Sequence, residues 1–197
     1  MSSPGQQESG LTVLTDLWRT VELCLPSHQE CGAITFRPRG EETFVGDWHA
    51  WLAGLRAPIL REAFLGLHCQ ASGQSFMALL GGDAALGAAL PESAARASLA
   101  EGRRALLGSI PPRGAKLIER LREAAAANER AGHLAAVFAV RAQAFHIPAV
   151  QAEMALVLAE CIFGAASVGL TLPAARSAEL MVAASASATA PAQLVAV

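Results

Sequence analysis

The sequence predicts an all-α protein, a single-domain helical bundle of about eight to ten helices. Three observations carry this. Alanine, the best helix former and a poor strand former, occurs 43 times in 197 residues and supplies about two-fifths of the 53% apolar content. Aromatic residues make up only 5%, and tyrosine is absent, which speaks against a β-sandwich or barrel. Apolar side chains also recur at helical spacing along most of the chain. Thin Ala-rich helices are expected to approach one another closely, in a chain long enough to bury its own core.

The elements follow in order. Leu11, Leu14, Leu17, Trp18 and Val21 form a helical stripe, with Asp16 and Arg19 off it, so a first helix is expected from Leu11 to Leu23. Pro26 breaks it. Residues 24–42 read as an extended loop with a short strand-like run over 33–36. Asp47 suits the N-cap of a helix through Trp48, Trp51, Leu52 and Leu55. Pro58 suits the first turn of the next, whose apolar face holds Ile59, Leu60, Ala63, Phe64 and Leu67. After Gly73 come a short apolar piece to Leu80, a Gly81-Gly82 turn and a new start at Asp83. Pro91 and Glu92 open a helix to Leu107, stopped by Pro111-Pro112. A surface-like helix covers Arg113–Arg130, with spaced charges around Leu117, Ile118 and Leu121. Gly132 separates it from an apolar helix His133–Phe145. Pro148 starts the longest and most buried helix, to Leu170, and Pro173 a last one through Leu180 and Val182. The expected organisation is a flexible stretch 1–10, one helical domain 11–185, and a flexible or partner-docking tail 186–197 that ends in Leu194, Val195 and Val197.

Charge and cysteine usage narrow the function. Fifteen basic residues against seventeen acidic give a net charge of −2 with no basic block, so nucleic acid is not an expected partner. All the basic residues except Lys116 are arginine. The start of the chain is polar and lacks a signal-like pattern, and the four cysteines form no CxxC pair. A reducing, cytoplasmic setting with free thiols is expected. The apolar stretch Met154–Leu172 contains Glu160 and is rich in Ala, Gly and Ser, so a buried core helix is expected rather than a membrane span.

Candidate chemistry is sparse. Cys24, His28 and Cys31 sit at i, i+4 and i+7, a spacing that on a helix aligns three metal ligands, with His68-Cys69 as a distant source of a fourth; Pro26 interrupts the run. The alternative function is therefore a metal-dependent enzyme built on these residues, or an interaction module of other purpose. No GxSxG, HExxH or phosphate-binding loop occurs, and the three aspartates pair with no histidine at short range. The expectation is a non-catalytic protein without cofactor or resident metal. Glu160 lies on an apolar helix, where a lone carboxylate is costly unless paired. It is expected either at a watery rim or facing an arginine across an interface, with Glu160→Ala weakening association and leaving the fold intact. His133, just after Gly132 at a helix start, suits a local cap or a contact site. Gly102 allows close packing or marks a kink.

The run GHLAAVFAVRAQAFHIPAVQAEMALVLAECIFGAASVGL resembles the UreF family of urease accessory proteins. His133, Val137, Phe138, Ile147-Pro148, Ala165-Ala166, Val168 and Leu170 occupy the places of that family's His-led apolar helix, Pro turn and long helix. Upstream, Leu25-Pro26, Phe44-Val45, Asp47, Trp51-Leu52 and Glu101-Gly102-Arg103 with Leu106-Leu107 fall in the family's order over residues 11–185. Departures include SHQECGAITFRPRGEE in place of a Gly/Phe/Ser-rich signature, and Gly169 where the family has a basic residue. The resemblance implies a UreF-like all-helical adaptor that bridges a UreD/UreH-type accessory protein and a UreG-type GTPase during nickel delivery to apo-urease. It also implies a homodimer. Expected partner-binding residues are Gly102, Arg103, His133, Glu160, Pro173, Arg176, Leu180, Leu194 and Val197. Removal of 173–197 is expected to abolish binding to the UreD-type partner without unfolding the rest.

Overall fold

The computed structural model describes residues 4–108, 115–128 and 130–189, and among them every regular element is helical. The first helix, α1 (Pro4–Cys24), begins well before the expected Leu11 and buries Leu17, Val21 and Cys24 at i, i+4 and i+7. A 3-10 turn at His28–Glu30 follows, and then irregular backbone. Over residues 33–36, where a short strand-like run was expected, no strand forms: the backbone is irregular with a bend at Thr35, and the Thr35 and Phe36 amides pair with the Glu160 carboxylate and not with another strand.

Helix α2 (Phe44–Trp51) continues without a break through a π-helical stretch, Leu52–Leu60, into α3 (Arg61–Ser72). Two expectations fail here. Asp47 lies inside α2, where its carboxylate accepts from Arg39 N and Nε and from the Thr43 hydroxyl, so it ties down the preceding loop and leaves the N-cap to Thr43. Pro58 starts no new helix; it sits inside the π stretch. A proline in a helix lacks the N–H donor and clashes with the carbonyl four residues back. Widening the turn relieves that clash, and the Arg61 amide accordingly reaches the Arg56 carbonyl, five residues back.

Helix α4 (Phe76–Ala89) is likewise one element where a Gly81-Gly82 turn was expected. Leu79, Asp83 and Leu86 bury one face across the glycines. A Cβ on Gly82 would lie 2.7 Å from Gln70 Oε1 and 3.1 Å from Leu67 Cδ2, so this glycine lets α4 lie close against α3. Then come α5 (Glu92–Leu107), α6 (Ala115–Ala127), α7 (Leu134–Ala144), α8 (Ala149–Ser167) and α9 (Ala174–Thr189). Counting the continuous run 44–72 as one rod, the described residues form a bundle of eight helices.

Helix α7 is its axis. Of its residues only Gln143 escapes burial, and it packs on α1, α3, α4, α5, α6 and α8. A helix apolar all round must be surrounded, and alanines at 135, 136, 139, 142 and 144 let the neighbours come close. Helix α8 is long and apolar enough to cross a membrane, but most of it is buried inside the bundle against α1, α3, α7 and α9. At one end Phe36, Phe44, Trp48 and Trp51 form an aromatic cluster, with Trp48 and Trp51 stacked at 5.0 Å. Gly164 of α8 makes room for it, since a Cβ there would stand 2.4 Å from the Phe36 ring.

Candidate functional site

Two of the sequence motifs, some thirty residues apart, meet at the start of α7. The peptide Gly132–Leu134 presents three amides with no partner inside the helix. Asp83, the sole charged residue of α4, accepts from Gly132 N at 2.7 Å and His133 N at 3.0 Å. Ser98 of α5 accepts from Leu134 N at 3.1 Å. Gly102 lies directly against this peptide: a Cβ would stand 2.1 Å from Gly132 O and 2.7 Å from Leu134 N. Close packing, and no kink, is the role of this glycine. Next to it Arg103 donates to the carbonyls of Asn128 and Ala131, at 2.9 and 3.5 Å, and so closes the end of α6.

The electrostatics of this junction are unusual. Burial raises the Asp83 carboxyl to about 6, against the lowering effect of its two amide bonds. His133 is 2% exposed, and burial, aided by the Arg103 charge, lowers its imidazole to about 4. Its Nδ1 is buried and meets no acceptor or donor among the described residues, while Nε2 lies against Gly87, where a Cβ would be 2.4 Å away. His133 therefore caps α7 by backbone position and is enclosed in the monomer.

Glu160 also points inward. It is 4% exposed, so it stands at no watery rim and presents no surface to an arginine across an interface. Its carboxylate accepts from Thr35 N at 2.9 Å, Phe36 N at 2.9 Å and the Thr35 hydroxyl at 2.6 Å. Burial raises its pKa and these bonds oppose the rise. The expectation of an interface glutamate is corrected: loop residues 33–36, 125 positions away, needed an acceptor for their amides, and Glu160 supplies it. A second buried pair joins Arg56 and Glu153, with Nε–Oε1 and Nη2–Oε2 both at 3.0 Å. Arg56 Nη1 adds bonds to Ala184 O at 2.6 Å and the Ser187 hydroxyl at 2.9 Å. Arg56, Glu153, Ser98 and Glu160 border a cavity of about 20 Å³, room for one water and no organic substrate.

The three metal-ligand candidates are not brought together. Cys24 is buried and its thiol is pushed up to about 12 by burial. His28 Nδ1 pairs with Leu25 O, and its ring meets Trp18 edge-on. Cys31 donates its thiol to Glu101 Oε2 at 3.1 Å and is also raised to about 12, by burial and then by that glutamate. His68 Nε2 pairs with Ile147 O, and Cys69 is exposed. Among the described residues no group of three His, Cys, Asp or Glu side chains is placed to share a metal ion.

Of the expected contact residues in the last helix, Pro173 and Arg176 are exposed, and Arg176 pairs with Glu179 at 2.6 Å. Leu180 is buried; its carbonyl accepts from the Trp48 indole at 3.3 Å. Leu194 and Val197 lie outside the described residues. Sequence reasoning missed Asp83, although a single charge in a fourteen-residue apolar helix was a legible signal. It also missed Arg56 and Glu153, 97 positions apart, which no local pattern connects. Compared with protein-family models, curated proteins and solved structures, the chain matches none.

Proposed function

We propose that this protein is a non-catalytic helical adaptor of UreF type. It bridges a UreD/UreH-type accessory protein and a UreG-type GTPase while nickel is delivered to apo-urease, acting as a homodimer in the cytoplasm. One observation carries the reading: two of the motifs behind the resemblance form a single physical unit. Glu101-Gly102-Arg103 and the His133 helix interlock at backbone distance through Gly102, and Arg103 fastens the adjoining end of α6. Motifs that hold one another in place preserve a surface shape, which is what an adaptor presents to its partners.

Burial divides the expected contact residues within this reading. Gly102, His133, Glu160 and Leu180 support the surface from within, so the outward candidates among the described residues are Pro173 and Arg176, with Arg103 half-buried. The test is co-purification of the full chain with a UreD/UreH-type protein and a UreG-type GTPase, read by size-exclusion chromatography. A stable complex is expected, weakened about tenfold by Arg176→Glu with Tm unchanged. Absence of any complex with either partner overturns the reading.

A further inference from the structure

The small cavity beside Glu160 gathers polar groups that the bundle itself leaves unmatched. It holds about 20 Å³, and part of its wall is apolar, Phe64 and Val157 included. Ser98 of α5, Ala135 of α7 and Glu160 of α8 also line it, and each is more than nine-tenths buried.

Two donors on this wall lack an acceptor. At the start of α7 the amides of Gly132 and His133 go to Asp83, and that of Leu134 goes to Ser98. Further in, Ala136 N and Val137 N both reach His133 O, at 3.0 and 3.1 Å. Ala135 N, between these two sets, finds no acceptor among the described residues. Ser98 supplies the second donor. Its oxygen accepts from Leu134 N at 3.1 Å, but its own hydroxyl proton meets no acceptor among the described residues. Buried donors in folded proteins are almost always paired, with protein atoms or with ordered water.

The matching acceptor is Glu160. Its Oε2 takes the Thr35 and Phe36 amides, both at 2.9 Å. Its Oε1 takes the Thr35 hydroxyl at 2.6 Å and only a long contact of 3.3 Å from Thr35 N. A carboxylate oxygen offers more than one lone pair, so Oε1 has room for a further donor. Neither Ser98 nor Ala135 bonds to it directly, so joining the three groups takes a molecule between them.

We propose that this cavity binds one water molecule, which accepts from the Ser98 hydroxyl and the Ala135 amide and donates to Glu160 Oε1. The donor set selects water among species of this size. An ammonium or metal cation would face two donors and accept from neither, while a halide would stand against a buried carboxylate. Water accepts and donates at once, and the volume admits nothing larger. Held there, it links α5, α7 and α8 at one point and completes the cap of α7 that Asp83 and Ser98 begin.

The experiment compares the full wild-type chain with Val157→Ile by oxygen-17 water relaxation dispersion, a signal blind to hydrogen exchange. The variant adds one methylene beside the cavity, enough to displace a molecule of this size. The wild type is expected to hold about one more long-lived water per chain than Val157→Ile. The variant should also melt at a lower Tm, because it strands the Ser98 and Ala135 donors, whereas filling a dry cavity would raise Tm. Should Val157→Ile fail to fold, a nuclear Overhauser contact between water and the Ala135 amide of the wild type decides, and it is expected to be present. Equal relaxation in the two proteins, a raised Tm, or no contact at Ala135 overturns the proposal.

Discussion

Asp83 holds two amides of the α7 start with one carboxylate, in a place where its charge is poorly solvated. Its folded pKa of about 6 exceeds the ordinary 3.8, so the folded state retains a proton that the unfolded chain releases between those values. The corresponding stability is complete below about pH 4 and is lost as pH rises through 6. His133 acts in the opposite direction: lowered from 6.5 to about 4, it contributes stability above 6.5 that is lost as pH falls through 4. Asp83→Asn isolates the first effect, because the His133 contribution is common to both proteins. Urea unfolding at pH 6.5 and at pH 4 should show the wild type gaining on Asp83→Asn by about 2 kcal/mol on acidification. Parallel pH profiles would show that the Asp83 carboxyl titrates normally. At this scale the sequence was legible only in part. His133 at a helix start could be read from Gly132 beside it, whereas its partner lies fifty residues upstream. Glu160 was visibly costly on an apolar helix, but its acceptor role depends on a loop 125 positions away, and nothing near it in sequence points there.

At the scale of elements, glycines decided more than local propensity suggests. Helix rules read Gly81-Gly82 as a turn, yet α4 runs straight through both because burial of Leu79, Asp83 and Leu86 outweighs their intrinsic cost. The two helical glycines Gly81 and Gly102 therefore make opposite expectations. A Cβ on Gly81 meets nothing within 4 Å, so Gly81→Ala should stabilise by about 0.5–1 kcal/mol through the unfolded chain and helix propensity. A Cβ on Gly102 meets the Gly132 carbonyl and the Leu134 amide, both backbone, so α5 must move away and loosen the Ser98 bond to Leu134. Gly102→Ala should cost about 3 kcal/mol. Denaturant midpoints for the pair check both signs; equal midpoints would mean that α5 and α7 are not held as closely as the structure has them. The Pro58 stretch teaches the same lesson. Proline was read as the start of a new helix, but continuous burial on both sides made it a widened turn inside one rod.

Across the whole molecule, the last helix shows where contact surface and framework part company. The apolar ending of the tail suggested a docking arm, and the segment 173–197 was expected to be removable without unfolding the rest. Instead Leu180, Met181 and Ala184 lie in the core, and α9 packs on α1, α8 and the π stretch. Removing it would bare the surfaces that these side chains cover, worth about 1.5–3 kcal/mol for each large side chain. It would also leave the Trp48 indole N–H and Arg56 Nη1 without their carbonyl acceptors, Leu180 O and Ala184 O. Each lost acceptor costs about 1–3 kcal/mol, more beside a charge. Arg56 is 0% exposed, so its guanidinium could regain partners only if water entered next to Glu153. Together these losses rival the whole margin of about 5–15 kcal/mol that a domain normally has. A chain ending at Leu172 is therefore expected to lose its cooperative thermal transition, with a reduced helical circular dichroism signal and increased binding of a hydrophobic dye. Arg176→Glu, on the exposed side of the same helix, should leave all three readouts unchanged. A truncated chain that melts sharply near the wild-type Tm would return α9 to the status of a docking arm. It would also separate the partner-binding surface from the bundle's own stability.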